Sequence, residues 1–401
     1  MLEGALEVNN GYKILDSDAH IVEPIDLWQR YIDPAFRDRA PKILEPMSLI
    51  DVNGTLMPDS FPRDPETLER HRKAREIREE RQGGDRYAEP RQQQWSAPSH
   101  LAAFDREGVD MAVLYPTLGL HAHSVNHLDP KLSAAICRAY NDWLTDFCSA
   151  NPKRLLGAAL LPVHGADEAV AEAERVATKL GMRVVALRPN PVNGHNLNDP
   201  YYNDLYGAIE RLGLALAIHE GAGTILPSVG RDRFYGNMTL AHVVCHPAEQ
   251  MIACASLVLG GVLQRFPGLL VAHLESGASW MPYWLYRMDE HLENFGADVS
   301  FLAAKPSEYF KRQGYISCDA DEGLMRYTVE AMGDDNLLYS TDYPHPDGKY
   351  PEAVQTFLQL PGLSKQSRRK VLWDNGIRFY RLGDSLAKDE RPGKERVPGK
   401  R

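Results

Sequence analysis

Asp18 and His20 stand two residues apart in KILDSDAHIVEP, so on an extended segment a carboxylate and an imidazole point to the same side and can grip one cation. Alone, the pair is also what a loop histidine hydrogen-bonded to a carboxylate looks like. Two distant residues change the balance. His219 closes the apolar run LALAI, and Asp342 ends NLLYST, a segment apolar enough to be buried on both faces, where an ionised carboxylate is costly without a cation or several donors. Asp18, His20, His219 and Asp342 together offer two nitrogens and two oxygens without a thiolate. That set suits one Zn2+ or Mn2+ ion, also admits Fe2+, and leaves room for water or substrate.

Other residues of matching chemistry recur at similar places. His273, in LLVAHLE, has the chemistry to orient or deprotonate bound water or to protonate a substrate, with Asp342 as a second proton carrier; a fifth ligand or a supporting hydrogen bond is the alternative. Arg188 can hold a substrate carboxylate through two N–H groups, or form a salt bridge to Glu220 or Asp319. Glu220 and Glu275 follow the two strand-end histidines closely and join the substrate-facing set. His242 and His246 lie i,i+4 on an expected helix, from which His246 can reach substrate; no glutamate separates them as in HExxH, which excludes metalloprotease chemistry of that kind. His345, three past Asp342, can support it, and His121, His123 and His127 are loop histidines expected at the surface.

These residues need a scaffold that brings segments hundreds of residues apart to one place. Eight short β-rich runs recur, at 13–18, 110–116, 156–162, 183–189, 214–220, 269–275, 314–321 and 336–342, and most gaps from the second run onward carry helical patterns such as 166–180 and 202–212, each closed by glycine. Alternating strands and helices imply parallel pairing. Eight units, with no glycine-rich turn after the first, predict an α/β fold, a closed (β/α)8 TIM barrel whose functional groups cluster at the strand C-termini. The fourth run ends without a lysine that could be carbamylated to bridge two metals, which favours one ion.

The barrel domain is expected over 1–383, with an insertion at about 36–100. Its segment from Arg63 to Arg91 holds nine basic and eight acidic residues, predicting a solvated helix over 70–81 that can also serve as a lid. Residues 384–401 are polar, broken by proline and glycine, and expected to be disordered. With 45 basic against 55 acidic residues, the net charge of −10 argues against nucleic acid as a partner. No apolar stretch reaches the roughly 20 residues that span a bilayer, and no leader is evident, so a cytoplasmic location is expected. The five cysteines lie in apolar runs without CxxC spacing and read as buried hydrophobes.

DSDAHIVEP, AIHEG, GVLQRFPGLLVAHLESGASWMPYWLYRMD, STDYPHPDG and VLWDNGIRFYRL, in that order from Ile14 to Leu382, resemble the amidohydrolase-related family that contains aminocarboxymuconate-semialdehyde decarboxylase. The resemblance implies a distorted TIM barrel, one divalent metal, often zinc or manganese, and a homodimer. It implies His20, His219 and Asp342 as ligands, with Asp18 at a position where many relatives carry His or Glu, and His273 as the acid/base residue. The leading expectation is metal-dependent carbon–carbon cleavage, most simply nonoxidative loss of CO2 from a small aromatic or conjugated carboxylic acid. The alternatives are metal-dependent hydrolysis of an amide, ester, lactone or ketone and, remotely, a non-catalytic binding subunit.

Overall fold

The computed structural model describes residues 9–58, 62–82, 84–123, 125–221 and 227–383. The expected tail at 384–401 lies outside these residues. The chain starts with β1 (Leu15–His20), then leaves the barrel for an antiparallel sheet of three strands, β2 (Lys42–Glu45), β3 (Leu49–Val52) and β4 (Thr55–Met57), and a helix, α1 (Pro65–Arg81). It returns through β5 (Met111–Tyr115), β6 (Leu155–Leu160), β7 (Val184–Leu187), β8 (Ala215–His219), β9 (Leu270–Leu274), β10 (Gly314–Cys318) and β11 (Leu337–Tyr339). Each of the eight expected runs overlaps one barrel strand, and these pair in parallel in chain order.

Strands buried on both faces need apolar residues on both, and these have them. Leu15, Val113, Ala158, Ala186, Ala217, Ala272 and Leu274 fill the interior, where alanines suit the narrow space. The opposite face packs against helices that include α2 (Pro130–Cys148), α3 (Ala166–Thr178), α4 (Asn203–Leu212), α5 (Met238–Val258) and α6 (Pro306–Gln313). Gly213 ends α4 at φ 68°, the left-handed cap that glycine supplies without strain. All five cysteines are buried free thiols. Among the described residues, no helix is long and apolar enough to cross a membrane.

The barrel is nearly closed. Its seam is made beyond the end of β11, where the Asp342 amide donates to the Asp18 carbonyl (3.0 Å) and the His20 amide to the Tyr343 carbonyl (2.6 Å). Helix α1 is held mostly by its own chemistry. The Asp64 side chain caps it by accepting from the Thr67 amide at 3.0 Å, Glu69 pairs with Arg72 and Lys73, and Thr67 is its one buried residue. The end of the insertion is strapped to the loop after β11, with Arg86 donating to the carbonyls of Pro346, Gly348 and Tyr350 and the Tyr87 hydroxyl donating to that of His345.

Candidate metal centre at the barrel mouth

Strand parity decides which side chains face the mouth. Across the β8–β9 pair, His219 lies beside Leu274 and Ile218 beside His273, and paired residues share a face. Leu274 belongs to the interior, so His219 points inward. On β1 the register slips by one residue between Asp16 and Ala19, a bulge of the kind that re-aims side chains beside a site. With that slip, Asp18 and His20 share the inner side: Asp18 Oδ1 is 3.6 Å from His20 Nε2 and 3.3 Å from His219 Nε2. Asp342 Oδ1 reaches to 3.5 Å from His20 Nε2.

The bonding around the two imidazoles fits a cation. His20 Nδ1 lies 3.0 Å from the Pro116 carbonyl and His219 Nδ1 2.5 Å from that of Glu220, so each Nδ1 carries the proton and each Nε2 presents a lone pair. Those two Nε2 atoms face each other at 3.1 Å. Both oxygens of Asp18 are buried without a hydrogen-bond partner among the described residues. Burial, then His345 and His219, push the His20 pKa well down, so this ring stays neutral and keeps its Nε2 lone pair. Opposed lone pairs beside a buried carboxylate form a set that could hold a metal ion.

Asp342 has a second partner. His345 Nδ1 stands 2.8 Å from Asp342 Oδ1 and its Nε2 3.2 Å from Thr117 Oγ1, whose own proton goes to the Ile21 carbonyl. The Thr117 oxygen therefore accepts from Nε2, and with Nδ1 in an ion pair to Asp342 the ring is held as an imidazolium. Burial alone would lower the His345 pKa, but Asp342 brings it to about 9. Burial lifts Asp342 to about 6, with His345 opposing. Asp342 and Glu275 both adopt left-handed backbone, φ 54° and 51°, which turns their carboxylates over the strand ends at some cost in strain. Glu275 joins the cluster, with Oε2 3.2 Å from His219 Nε2 and Oε1 3.7 Å from His246 Nδ1. Burial, then Asp342 and Asp18, raise its pKa well above the usual range.

Three sequence expectations meet a different environment. His273 is turned away from the mouth: it lies on the helix-facing side of β9, its Nδ1 2.8 Å from Gln250 Oε1 on α5, with its ring near Phe310 of α6. Burial lowers its pKa to about 3, leaving a neutral ring in a supporting hydrogen bond. Arg188 lies 3.4 Å from Glu220 and donates to Asn190 Oδ1 and the Gly221 carbonyl, the salt-bridge alternative, although its Nη1 has no hydrogen-bond partner among the described residues. Burial raises Glu220 to about 8 against the pull of Arg188. His121 and His123, expected at the surface, are buried.

Sequence reading passed over Asp16, which is fully buried and ties the seam by accepting from the Thr341 amide (3.1 Å) and hydroxyl. Its place in DSD, one strand residue before the bulge, was the available signal.

Two cavities flank the cluster. One of about 220 Å³ is lined by His242, His246, Glu275, Asp319, Asp342 and Asp347. The other, about 810 Å³, lies between the insertion and the mouth, with Arg75 and Arg78 of α1 on one wall and Tyr87, Trp95 and His345 on others.

Comparison with known proteins agrees with this architecture. The chain is 29% identical over 290 residues to 2-amino-3-carboxymuconate-6-semialdehyde decarboxylase of Dictyostelium discoideum, covering 72% of this chain and 77% of that protein. A crystal structure of an amidohydrolase from Mycobacterium avium subsp. paratuberculosis K-10 shares the fold with a TM-score of 0.71 at 19% identity, covering 92% of this chain and 99% of that one. So does dihydroxybenzoic acid decarboxylase from Polaromonas sp. JS666, solved with bound manganese and the inhibitor 2-nitroresorcinol, at a TM-score of 0.61 and 16% identity, covering 92% and 97%. A family model described as amidohydrolase matches residues 16–382, and the chain belongs to that family.

Proposed function

We propose that this protein is a metal-dependent, nonoxidative decarboxylase of a small aromatic or conjugated carboxylic acid. The observation that carries the reading is the pair of opposed Nε2 atoms, 3.1 Å apart, beside the unpartnered carboxylate of Asp18. Asp18, His20, His219 and Asp342 would hold one divalent ion, Mn2+ or Zn2+ first; the manganese and the decarboxylase activity of relatives support that choice. When bound, the ion supplies a Lewis acid for substrate oxygens. The free Nη1 of Arg188 and the neighbouring Glu220, Glu275 and His246 would orient the acid. Loss of CO2 breaks the bond to the carboxyl carbon and leaves its electron pair on the substrate carbon, where Asp342 would deliver a proton. His345 holds Asp342 in place and links it to Thr117. The proposal includes a cytoplasmic homodimer, the dimer from the family resemblance and the location from the sequence.

Mass spectrometry of metal-loaded enzyme with a panel of phenolic and dienoic acids, amides and esters in 18-O water tests the reaction. The expected result is an organic product short of CO2 and free of label; labelled product with its carboxyl group intact would replace decarboxylation by hydrolysis.

The support given by His345 has its own test. His345→Asn is expected to retain the bound ion while kcat falls by about 10²-fold, the lower range for a proton-transfer contribution, and the pH profile of kcat shifts. Unchanged kcat and pH profile would remove His345 from the reaction.

A further inference from the structure

We propose that the cavity of about 810 Å³ between the insertion and the mouth holds the part of the substrate that points away from the metal centre, and that Arg75 and Arg78 of α1 bind a second carboxylate there. The substrate class narrows to dicarboxylic acids with a flat, apolar middle. This rests on the decarboxylase reading and adds to it a binding site on the insertion.

The cavity joins two kinds of surface. His345 and Thr117 line it, and His345 Nδ1 stands 2.8 Å from Asp342 Oδ1, so the space adjoins the candidate metal centre. On α1 it is lined by Arg75, Arg78, Glu79 and Gln82, which at i, i+3, i+4 and i+7 form one stripe of the helix. A helix that packs on a core turns an apolar stripe towards it. Helix α1 turns a charged stripe to this space and buries Thr67 alone, so the stripe does not serve packing. Pro24, Ile25, Met47 and Trp95 supply apolar lining, with Ile25 left 57% exposed. The volume falls within the roughly 300–1,000 Å³ of pockets for drug-sized ligands. Met47, Gln94 and Trp95 hold left-handed backbone around it, φ 60°, 53° and 52°, and such strain gathers at ligand sites.

Most charges along the cavity are already committed. Glu23 accepts from the amides of Thr117, Leu118 and Gly119, Asp26 pairs with Arg30 at 3.5 Å, and Asp85 pairs with Arg91 at 2.5 Å. Arg86 is taken by the carbonyls of the loop after β11. The stripe on α1 is different. Arg75 reaches Glu79 only at 4.0 Å, and the Arg78 side chain has no ion-pair or hydrogen-bond partner among the described residues. Two guanidiniums against one carboxylate leave a positive charge for an anionic ligand, and the planar fork of N–H groups matches a carboxylate. An uncommitted cation beside apolar surface, in a space that adjoins the candidate metal centre, selects an acid charged at both ends.

The test compares diacids with their monoacids on the full chain loaded with Mn2+. Calorimetry reads binding of unreactive probes, terephthalate and the longer biphenyl dicarboxylate, each against its monocarboxylate. Turnover is read as kcat and KM for phenolic acids that carry or lack a second carboxylate. Wild type is expected to bind a diacid at least about tenfold more tightly than its monoacid, the lower end for hydrogen bonds to a charged group. Arg75→Gln/Arg78→Gln changes two exposed helix positions to a residue of similar helix propensity, so the fold should persist while the preference disappears. For diacid substrates the loss should fall on KM rather than kcat. Equal affinity for diacids and monoacids in wild type would overturn the site, and a preference kept by the double variant would overturn its placement on α1. The two readings fail separately. A diacid preference without CO2 release from any acid leaves the carboxylate site and removes the decarboxylase; CO2 release with equal kcat/KM from diacid and monoacid, and no binding preference, does the reverse.

Discussion

Asp342→Asn is expected to lose most of its bound metal and at least about 10³-fold in kcat/KM, a loss of transition-state stabilisation of about 4 kcal/mol. Three contributions go at once. Under the proposed function the substitution takes away an anionic ligand 3.5 Å from His20 Nε2, the counter-charge 2.8 Å from His345 Nδ1, and the proton-carrying carboxyl group. Asparagine matches aspartate in shape and tolerates left-handed backbone, so φ 54° at this position adds no new strain and the loss reports chemistry rather than folding. Metal per chain and kcat/KM are the measurements. A variant with full metal and more than half the wild-type activity would take Asp342 out of the centre.

Removal of the metal by chelation is expected to abolish turnover and to lower the melting temperature, both restored by Mn2+. An ion present at a thousandfold over its Kd stabilises the folded chain by about 4.1 kcal/mol. With an unfolding entropy of about 2.1 cal/mol/K per residue, that corresponds to about 5 °C in a chain of this length. The effect has a defined location. The bonds that close the barrel run from Asp342 to Asp18 and from His20 to Tyr343, and three of those four residues are candidate ligands. Without the ion, opposed lone pairs and carboxylates push the seam apart, so the amides of His20 and Asp342 should exchange faster with solvent. An unchanged melting temperature after full metal removal would separate the ion from the seam.

Much of this was legible in residue order because barrel strands and their ends carry a strong local signature. Eight apolar runs with polar termini marked the strands, and the parity of Asp18 and His20 put them on one side. His273 shows where that reading stopped. Its strand-end position resembled that of His219, but period-two alternation along β9 already set Ala272 and Leu274 on one face and His273 on the other. Glu275, placed beyond the strand and turned by φ 51°, occupies the mouth instead, and no alternation rule reports a left-handed turn at a glutamate. The buried state of His121 and His123 was hidden for a related reason, since a loop folded under an insertion has no periodicity to read. The solvated helix in the insertion was legible because capping and i,i+4 charge pairing are local.

That helix buries one threonine and leans on its own caps and ion pairs, yet it forms a wall of the larger cavity through Arg75 and Arg78. Arg75 and Arg78 can therefore be exchanged without weakening the barrel, and each change reshapes that wall. The frame and this wall of the cavity are thus held by separate sets of contacts.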